Sequence, residues 1–251
     1  MLWFIAFVLG VIIGSFVNVL VVRLAASEPM GGRSRCRSCG QQLAWHHNIP
    51  LLSFVWLKGR CAWCHQPICW QYPLVELCLG LLFAWGAYLM PANDWLWLIT
   101  FWVLAAYATS LFVFDFRFKT LPDVLTLSGA VVLWLLNFIR GFAIESLLVA
   151  SLVAAGFFAV QYIVSRGKWI GSGDIRLGLF MGAAVGWPQV LVALVISYWL
   201  GAGWGIMLIS FKKNYSLKSA LPFGTFLTAS TVVVFLWGEK LIRWYLSFMI
   251  G

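Results

Sequence analysis

The chain of 251 residues is 63% hydrophobic and only 10% charged, whereas about 25% of residues are charged in soluble domains, so an ordinary water-soluble protein is excluded. The net charge of +9 would suit a nucleic-acid partner, but basic loops at a membrane surface account for it better, and we expect no nucleic acid. With 20 Phe and 16 Trp available to face lipid, the chain is predicted to be an all-α protein that crosses a lipid bilayer repeatedly.

Eight apolar segments follow one another along the chain, and most of them are near the length of about 20 residues that a membrane-spanning helix requires. The first lacks the basic start and the cleavage site of a signal peptide, so we predict that it is a retained span. The sixth is short and rich in glycine, which predicts a helix buried inside the bundle. The predicted spans are residues 2–22, 73–90, 95–114, 121–139, 146–164, 175–187, 188–210 and 222–237.

The sequence divides into three predicted parts: a first transmembrane helix (1–22), a long loop (23–72) and a transmembrane bundle (73–251). If the loop is placed in the cytoplasm, 14 of the 17 Lys and Arg residues lie on the cytoplasmic side of the membrane. This bias predicts a bacterial inner membrane protein with a cytoplasmic loop and, given eight spans, both termini outside the cytoplasm.

Two C-x-x-C pairs occur in the predicted loop, Cys36 with Cys39 and Cys61 with Cys64, separated by 21 residues. Two such turns offer four thiolates to one tetrahedral Zn²⁺, as in a zinc ribbon. Because the cytoplasm is reducing, a metal site is favoured over disulfides, and reduced thiols without metal are the alternative. We expect the zinc to be structural, since a loop of about 50 residues with few apolar clusters cannot form a hydrophobic core of its own.

Two of the acidic residues are candidates for chemistry, because helix parity places Asp115, at the end of the third span, and Asp174, at the start of the sixth, at the cytoplasmic membrane edge. Two such carboxylates are suited to aspartic proteolysis, one as a base toward water and one as an acid. Gly171 and Gly173 allow close backbone approach beside Asp174. The alternative is that both aspartates only cap helices or pair with neighbouring arginines. Asp123 is expected to cap the fourth span and is a reserve candidate for the catalytic pair.

Seven short motifs, spread over most of the chain, occur together in one protein family. They are G-S-F-V-N-V at 14–19, the two C-x-x-C pairs, N-I-P at 48–50, Y-P-L-V-E at 72–76, Asp115 with L-P-D at 121–123, G-S-G-D at 171–174 and P-F-G at 222–224. By this combination the chain strongly resembles the type IV prepilin peptidases, which are membrane aspartyl proteases with a G-x-G-D motif.

The resemblance implies an enzyme with two activities. It implies cleavage of the short basic leader of type IV prepilins or pseudopilins after a glycine, with Asp115 and Asp174 as the catalytic pair. It further implies N-methylation of the new N-terminus with S-adenosyl-L-methionine, and it assigns Asn48 and Glu76 to binding this cofactor. For Glu76, the alternative is a carboxylate at the membrane edge that pairs with a loop arginine.

Two other classes of function fit parts of the pattern. An ion- or proton-coupled transporter would use Asp115 and Asp174 as ion sites deeper in the membrane and would have related halves, but no internal repeat is visible. A non-enzymatic membrane scaffold would recruit partners with its zinc loop and would tolerate Asp115→Ala. Proteolysis of a leader-bearing prepilin separates these classes. No oligomeric state is predicted.

Overall fold

The computed structural model describes residues 1–211 and 221–250, and apart from two isolated β-bridges all regular elements in them are helical, which confirms the predicted all-α class. The nine α-helices of these residues are α1 (Leu2–Ala25), α2 (Leu52–Trp56), α3 (Gln71–Leu89), α4 (Trp95–Phe118), α5 (Asp123–Ile139), α6 (Ile144–Ser165), α7 (Ser172–Val185), α8 (Gln189–Phe211) and α9 (Phe223–Ile250). A short 3-10 helix, Trp45–Asn48, lies in the first loop. Three lysines counted in the charge bias, Lys212, Lys213 and Lys218, lie outside the described residues.

Six of these helices are long and apolar enough to cross a membrane, namely α1, α3, α4, α6, α8 and α9, so the chain is a multi-pass membrane protein. Helices α5 and α7 fill the other two predicted spans but contain only 17 and 14 residues. Six of the eight predicted spans are therefore confirmed as helices of full membrane-spanning length, and the other two are shorter. At about 1.5 Å per residue, α7 is about 21 Å long, shorter than the roughly 30 Å hydrocarbon core of a bilayer.

Two helices that matter for the site extend past the predicted spans. Helix α4 continues to Phe118, so Asp115 lies within its last turn and not after its end. Helix α9 continues to Ile250, well beyond the predicted end at residue 237. No proline interrupts this extension, and Glu239 pairs with Arg243 one turn later on its exposed surface, a spacing that stabilises a helix.

The chain forms two compact units, residues 1–110 and 111–251. The three-part division drawn from the sequence is a functional one and stays a prediction. In the first unit, glycines of α1 allow close contact with α3: a Cβ at Gly10 would lie 2.5 Å from a carbonyl oxygen of α3, and one at Gly14 would lie 2.6 Å from the Cα of Glu76. This contact holds Glu76 against α1.

Helix α7 is the helix around which the second unit packs, and it contacts α5, α6, α8 and α9. A Cβ at Gly182 would lie 2.3 Å from the backbone N and Cα of Ser151 in α6, and Gly178 makes a similar contact one turn earlier. Small residues therefore allow α7 to pack inside the bundle, as the glycine-rich pattern predicts. At the end of α7, the side-chain amide of Asn137 donates to two backbone carbonyls, at 2.8 and 2.9 Å, and fixes the last turn.

Candidate active site

Asp115 lies in the last turn of α4 and is almost fully buried, with 6% of its surface exposed. Its Oδ2 accepts a hydrogen bond of 2.9 Å from the backbone N–H of Thr225, and the backbone N–H of Gly224 is a further donor to the carboxylate. Because α9 begins at Phe223, these N–H groups belong to its first turn and have no partner within the helix. The start of α9 is thus an anion-binding cradle for Asp115.

A glycine leaves room for this carboxylate at the start of α9. A Cβ at Gly224 would lie 3.0 Å from both Cγ and Oδ2 of Asp115 and 3.3 Å from Cδ1 of Leu121. A larger residue would therefore displace the carboxylate from its backbone donors. The P-F-G motif at residues 222–224 places this glycine within the first turn of α9.

Asp174 is the third residue of α7 and is also buried, with 7% of its surface exposed. Its Oδ2 accepts a hydrogen bond of 3.0 Å from the backbone N–H of Gly171, the residue that caps the helix. The two predicted glycines differ in their surroundings. A Cβ at Gly171 would make an ordinary contact of 3.8 Å with Asp174, whereas one at Gly173 would lie only 3.1 Å from the Cβ of Leu121.

The structure brings the two aspartates together in the second unit, where the charge of Asp115 acts on Asp174. Helix capping accounts for one oxygen of Asp174, but Asp115 lies near a helix C-terminus, where a carboxylate is unfavourable and does not cap. Asp115 is instead oriented by the backbone N–H of Thr225 in α9, while Asp174 is oriented by the capping N–H of Gly171. Two buried carboxylates near enough to interact are the arrangement in which one proton is shared.

Asp123 has a different role from the one expected. It is the first residue of α5, where Pro122 occupies the N-cap position and no side chain caps the helix, so the prediction that Asp123 caps α5 is wrong. Its carboxylate forms an ion pair with Arg176 of α7, because the packing of α5 on α7 brings a charged partner to it. Within the described chain, Arg176 thus pairs with Asp123 and not with Asp174.

Three residues of the site are not predicted from the sequence. Thr225 binds Asp115 through its backbone, while Tyr198 of α8 donates a hydrogen bond of 2.8 Å to Oε1 of Gln161 in α6. The charge of Asp174 acts on Tyr198, so Tyr198 lies in the neighbourhood of the aspartates. Polar side chains within apolar spans are the signal that would have identified Tyr198 and Gln161. For Thr225, the signal is the set of unpaired N–H groups expected at any helix start.

The four cysteines of the two C-x-x-C pairs form a cluster in the first unit, and their Sγ atoms all lie within 4.8 Å of one another. The Sγ atoms of Cys36 and Cys64 are 3.9 Å apart. A tetrahedral site with Zn–S bonds of about 2.3 Å would place its sulfurs about 3.8 Å apart. The donor set can therefore hold a metal ion. Cys69 lies outside the cluster and is exposed.

Both cysteine turns have the same backbone geometry. In each, the N–H of the first cysteine donates to the carbonyl five residues later over 2.9 Å. The residue after each pair, Gly40 or His65, has a positive φ of 72° or 56°. His65 is accordingly the counterpart of Gly40 in the second turn, which explains its position without a metal-binding role.

Local interactions favour the thiolate form of Cys36 and the thiol form of Cys64. Burial disfavours the charged form of Cys36, but backbone N–H groups of Cys39 and Ser38 and the nearby thiols outweigh it and lower the pKa of Cys36 to about 6. At Cys64, the backbone N–H of Gln66 favours the thiolate, but burial and the other thiols outweigh it and raise the pKa to about 11. A bound cation would favour the thiolate form of every sulfur.

Glu76 is buried in α3, with 7% of its surface exposed, and its Oε2 accepts a hydrogen bond of 2.8 Å from the backbone N–H of Leu51. Ser15 of α1 is a second hydrogen-bond partner. Among the contacts of the described residues, the loop thus meets Glu76 through its backbone and not, as the alternative held, through an arginine. Asn48 is exposed three residues before Leu51, and among the described contacts none joins its side chain to Glu76. Glu76 fixes the loop segment that follows Asn48.

Two family models match the chain. The bacterial peptidase A24 N-terminal domain matches residues 8–90, which contain the cysteine cluster and Glu76. The type IV leader peptidase family matches residues 102–206, which contain both aspartates.

Curated relatives match almost the whole chain. A prepilin leader peptidase/N-methyltransferase of Aeromonas hydrophila is 33% identical, over 96% of this chain and 92% of the relative. Proteins of the same name from Stutzerimonas stutzeri and Pseudomonas putida are each 31% identical, over 97% and 94% of this chain and 93% and 91% of the relatives. No solved structure matches the chain. The chain therefore belongs to the type IV leader peptidase family.

Proposed function

We propose that this protein is an aspartic endopeptidase of the bacterial plasma membrane that removes the basic leader of type IV prepilins or pseudopilins and then methylates the new N-terminus. The observation that carries the peptidase activity is the pair of buried, backbone-bound carboxylates, Asp115 and Asp174, in a chain of the leader peptidase family. The second activity is supported by its relatives, whose name joins N-methyltransferase to leader peptidase.

The proposed hydrolysis uses one ionised and one protonated carboxylate. The ionised member takes a proton from a water molecule as that water attacks the scissile carbonyl carbon, while the protonated member donates to the carbonyl oxygen. The C–N bond then breaks as the carboxyl group that took the proton from water passes it to the departing amine, and the other carboxylate recovers a proton from a hydroxyl of the tetrahedral intermediate. The backbone N–H groups of Gly171 and Thr225 orient the two carboxylates before substrate binds, so that little reorganisation is needed during the reaction.

The position of the pair suits a substrate that combines a basic leader with an apolar helix. Asp115 lies in the last turn of α4 and Asp174 in the first turn of α7, helix ends that the Lys and Arg bias assigns to the cytoplasmic face. We propose accordingly that the zinc loop is cytoplasmic and that both termini are outside. The leader would stay in the cytoplasm and the apolar helix in the bilayer, which delivers the scissile bond to this edge. A transporter would instead place its ion sites near the bilayer midplane.

We propose that Cys36, Cys39, Cys61 and Cys64 hold one structural Zn²⁺. The spacing of the four sulfurs fits a tetrahedral shell, and four protein ligands leave no open position for a substrate or water. The metal would supply folding free energy to a loop that contains only short helices and two tight turns.

For methylation, we propose that Asn48 and Glu76 serve the S-adenosyl-L-methionine site, an assignment that rests on family resemblance. This cofactor supplies the methyl group when it is bound. The contacts support a division of roles between the two residues. The exposed amide of Asn48 is available to a ligand, whereas the buried carboxylate of Glu76 orients the adjacent segment through the N–H of Leu51.

The proposed function is tested by incubating the purified protein, in lipid vesicles, with a leader-bearing prepilin and analysing the product by mass spectrometry. The wild-type protein should release the mature N-terminus, and Asp115→Ala and Asp174→Ala should not. Glu145→Ala, an exposed residue at the start of α6, is the control and should cleave normally. Absence of cleavage by the wild type would refute the peptidase and leave the transporter or the scaffold.

A further inference from the structure

The connection between α4 and α5, residues 119–122, lies between the two segments that hold the aspartates. Leu121 is the residue of this connection that packs against both segments. The Cβ of Leu121 lies 3.1 Å from where a Cβ of Gly173 would be, and its Cδ1 lies 3.3 Å from where a Cβ of Gly224 would be. Gly173 directly precedes Asp174, and Gly224 adjoins Asp115. The side chain of Leu121 therefore lies between the segment that carries Asp174 and the first turn of α9, whose backbone binds Asp115.

A second contact joins the same part of the chain to α7. Asp123 begins α5 two residues after Leu121, and it pairs with Arg176, which lies two residues after Asp174. The Asp123 and Arg176 side chains are 59% and 30% exposed, and ion pairs in such surroundings contribute little to stability. The pair is therefore better suited to fixing the start of α5 against the start of α7 than to stabilising the fold.

We propose that Leu121, Asp123 and Arg176 are positioning residues for peptide cleavage. Leu121 acts as a spacer between the segments of the two aspartates, and the Asp123–Arg176 ion pair holds this spacer in place. The inference rests on the proposed peptidase function. All three residues act through the catalytic pair and need not touch the substrate. Because a displacement of about 1 Å can lower a rate about 100-fold, their effect should fall on kcat and not on KM.

The ion pair is tested with a double-mutant cycle on prepilin cleavage by the full chain in lipid vesicles. Asp123→Asn and Arg176→Gln should each lower kcat about tenfold or more, with KM changed less than about twofold. The double variant should be no slower than the slower single variant, because the two side chains act as a unit. Asp123→Glu keeps the charge and should recover most of the loss. Single variants with wild-type kcat, or losses that multiply in the double variant, would overturn the role of the pair.

The spacer is tested independently with Leu121→Ala and Leu121→Met. The alanine variant removes the Cδ1 contact with the Gly224 segment and leaves only the Cβ beside Gly173, so it should lower kcat about tenfold or more. Methionine keeps the volume and should stay within about threefold of wild type. Glu239→Gln breaks the exposed ion pair with Arg243 on α9 and serves as the matched control, with unchanged kcat. Normal turnover by Leu121→Ala would overturn the spacer role.

Two further measurements separate positioning from loss of folded protein and from failure of the proposed function. A changed spacing of two coupled carboxylates should move the limbs of the pH–rate profile, whereas a smaller amount of folded protein would only scale the profile. Asp115→Asn provides the other reference. If that variant cleaves normally, the peptidase proposal itself fails. If it is inactive while the Asp123, Arg176 and Leu121 variants keep wild-type kcat and pH profile, only the positioning inference fails.

Discussion

The backbone N–H of Thr225 donates a hydrogen bond of 2.9 Å to Oδ2 of Asp115, although 110 positions separate the two residues in the sequence. The bond joins the last turn of α4 to the first turn of α9. The dipole of α9 favours a negative charge at this point, whereas the dipole of α4 disfavours one. The start of α9 therefore offsets the unfavourable position of Asp115 at the end of its own helix.

Gly224→Ala should impair cleavage more than folding. The added Cβ would lie 3.0 Å from the carboxyl group of Asp115 and would displace it from the N–H of Thr225. We expect kcat to fall about tenfold or more, because the carboxyl group must shift from its backbone donors. Gly203→Ala, in α8, is the control because a Cβ there would meet no atom within 4 Å. Equal activity of the two variants would contradict the cradle role of α9.

Gly182→Ala should destabilise the second unit. Its Cβ would lie 2.3 Å from the backbone of Ser151, which cannot move without shifting α6 from α7. Overpacking of this kind costs about 1–3 kcal/mol, measurable as a lower Tm in detergent. Gly156→Ala, on the exposed surface of α6, adds a Cβ that contacts nothing and should leave Tm unchanged or slightly higher. A Tm of Gly182→Ala at or above that of the wild type would show that α6 and α7 leave room for a Cβ between them.

Elemental analysis of the purified protein should give about one zinc per chain. Cys61→Ser should lower this content, because Cys61 is the buried member of the four-sulfur cluster. Cys69→Ser is the matched control, since Cys69 is exposed and lies outside the cluster. Stoichiometric zinc in a variant that lacks all four cluster cysteines would exclude this site.

Glu76→Gln should separate the two proposed activities. The amide oxygen of glutamine can still accept the hydrogen bond from the N–H of Leu51, so the loop stays in place while the negative charge is removed. We expect normal leader cleavage with a reduced fraction of methylated product. Mass spectrometry of pilin processed in cells that carry this variant measures both. Fully methylated product would remove Glu76 from the methyl-donor site.

The helices and the cysteine cluster could be predicted because their signals are local. Apolar length identifies membrane helices, since lipid leaves the backbone no partner outside the helix. The C-x-x-C spacing fixes each pair on one tight turn, and two such pairs in one loop predict that their four thiolates share one metal ion. The glycines of α7 predicted a short helix inside the bundle, but α5 was expected to be a complete span, because continuous apolar sequence alone does not distinguish a short helix from a full-length one.

The partners of the aspartates could not be predicted, because they depend on how distant helices pack. No residue near Asp123 indicates that Arg176 faces it, so helix capping is the expectation that local sequence supports. The same holds for Thr225, which binds Asp115 through a backbone group that every residue possesses. The sequence identifies the side chains that can take part in catalysis, whereas the structure adds the backbone groups that orient them.

Replacement of each aspartate by asparagine tests the catalytic pair most directly. Asparagine keeps an acceptor oxygen for the N–H of Thr225 or Gly171, so the backbone contacts can persist while the acid–base group is lost. Single-turnover cleavage of a leader-bearing prepilin in lipid vesicles gives the rate, and thermal unfolding monitors the fold. We expect Asp115→Asn and Asp174→Asn each to slow cleavage about 1,000-fold, with Tm unchanged. Cleavage by either variant within about tenfold of the wild-type rate would contradict the assignment of Asp115 and Asp174 as the acid–base pair.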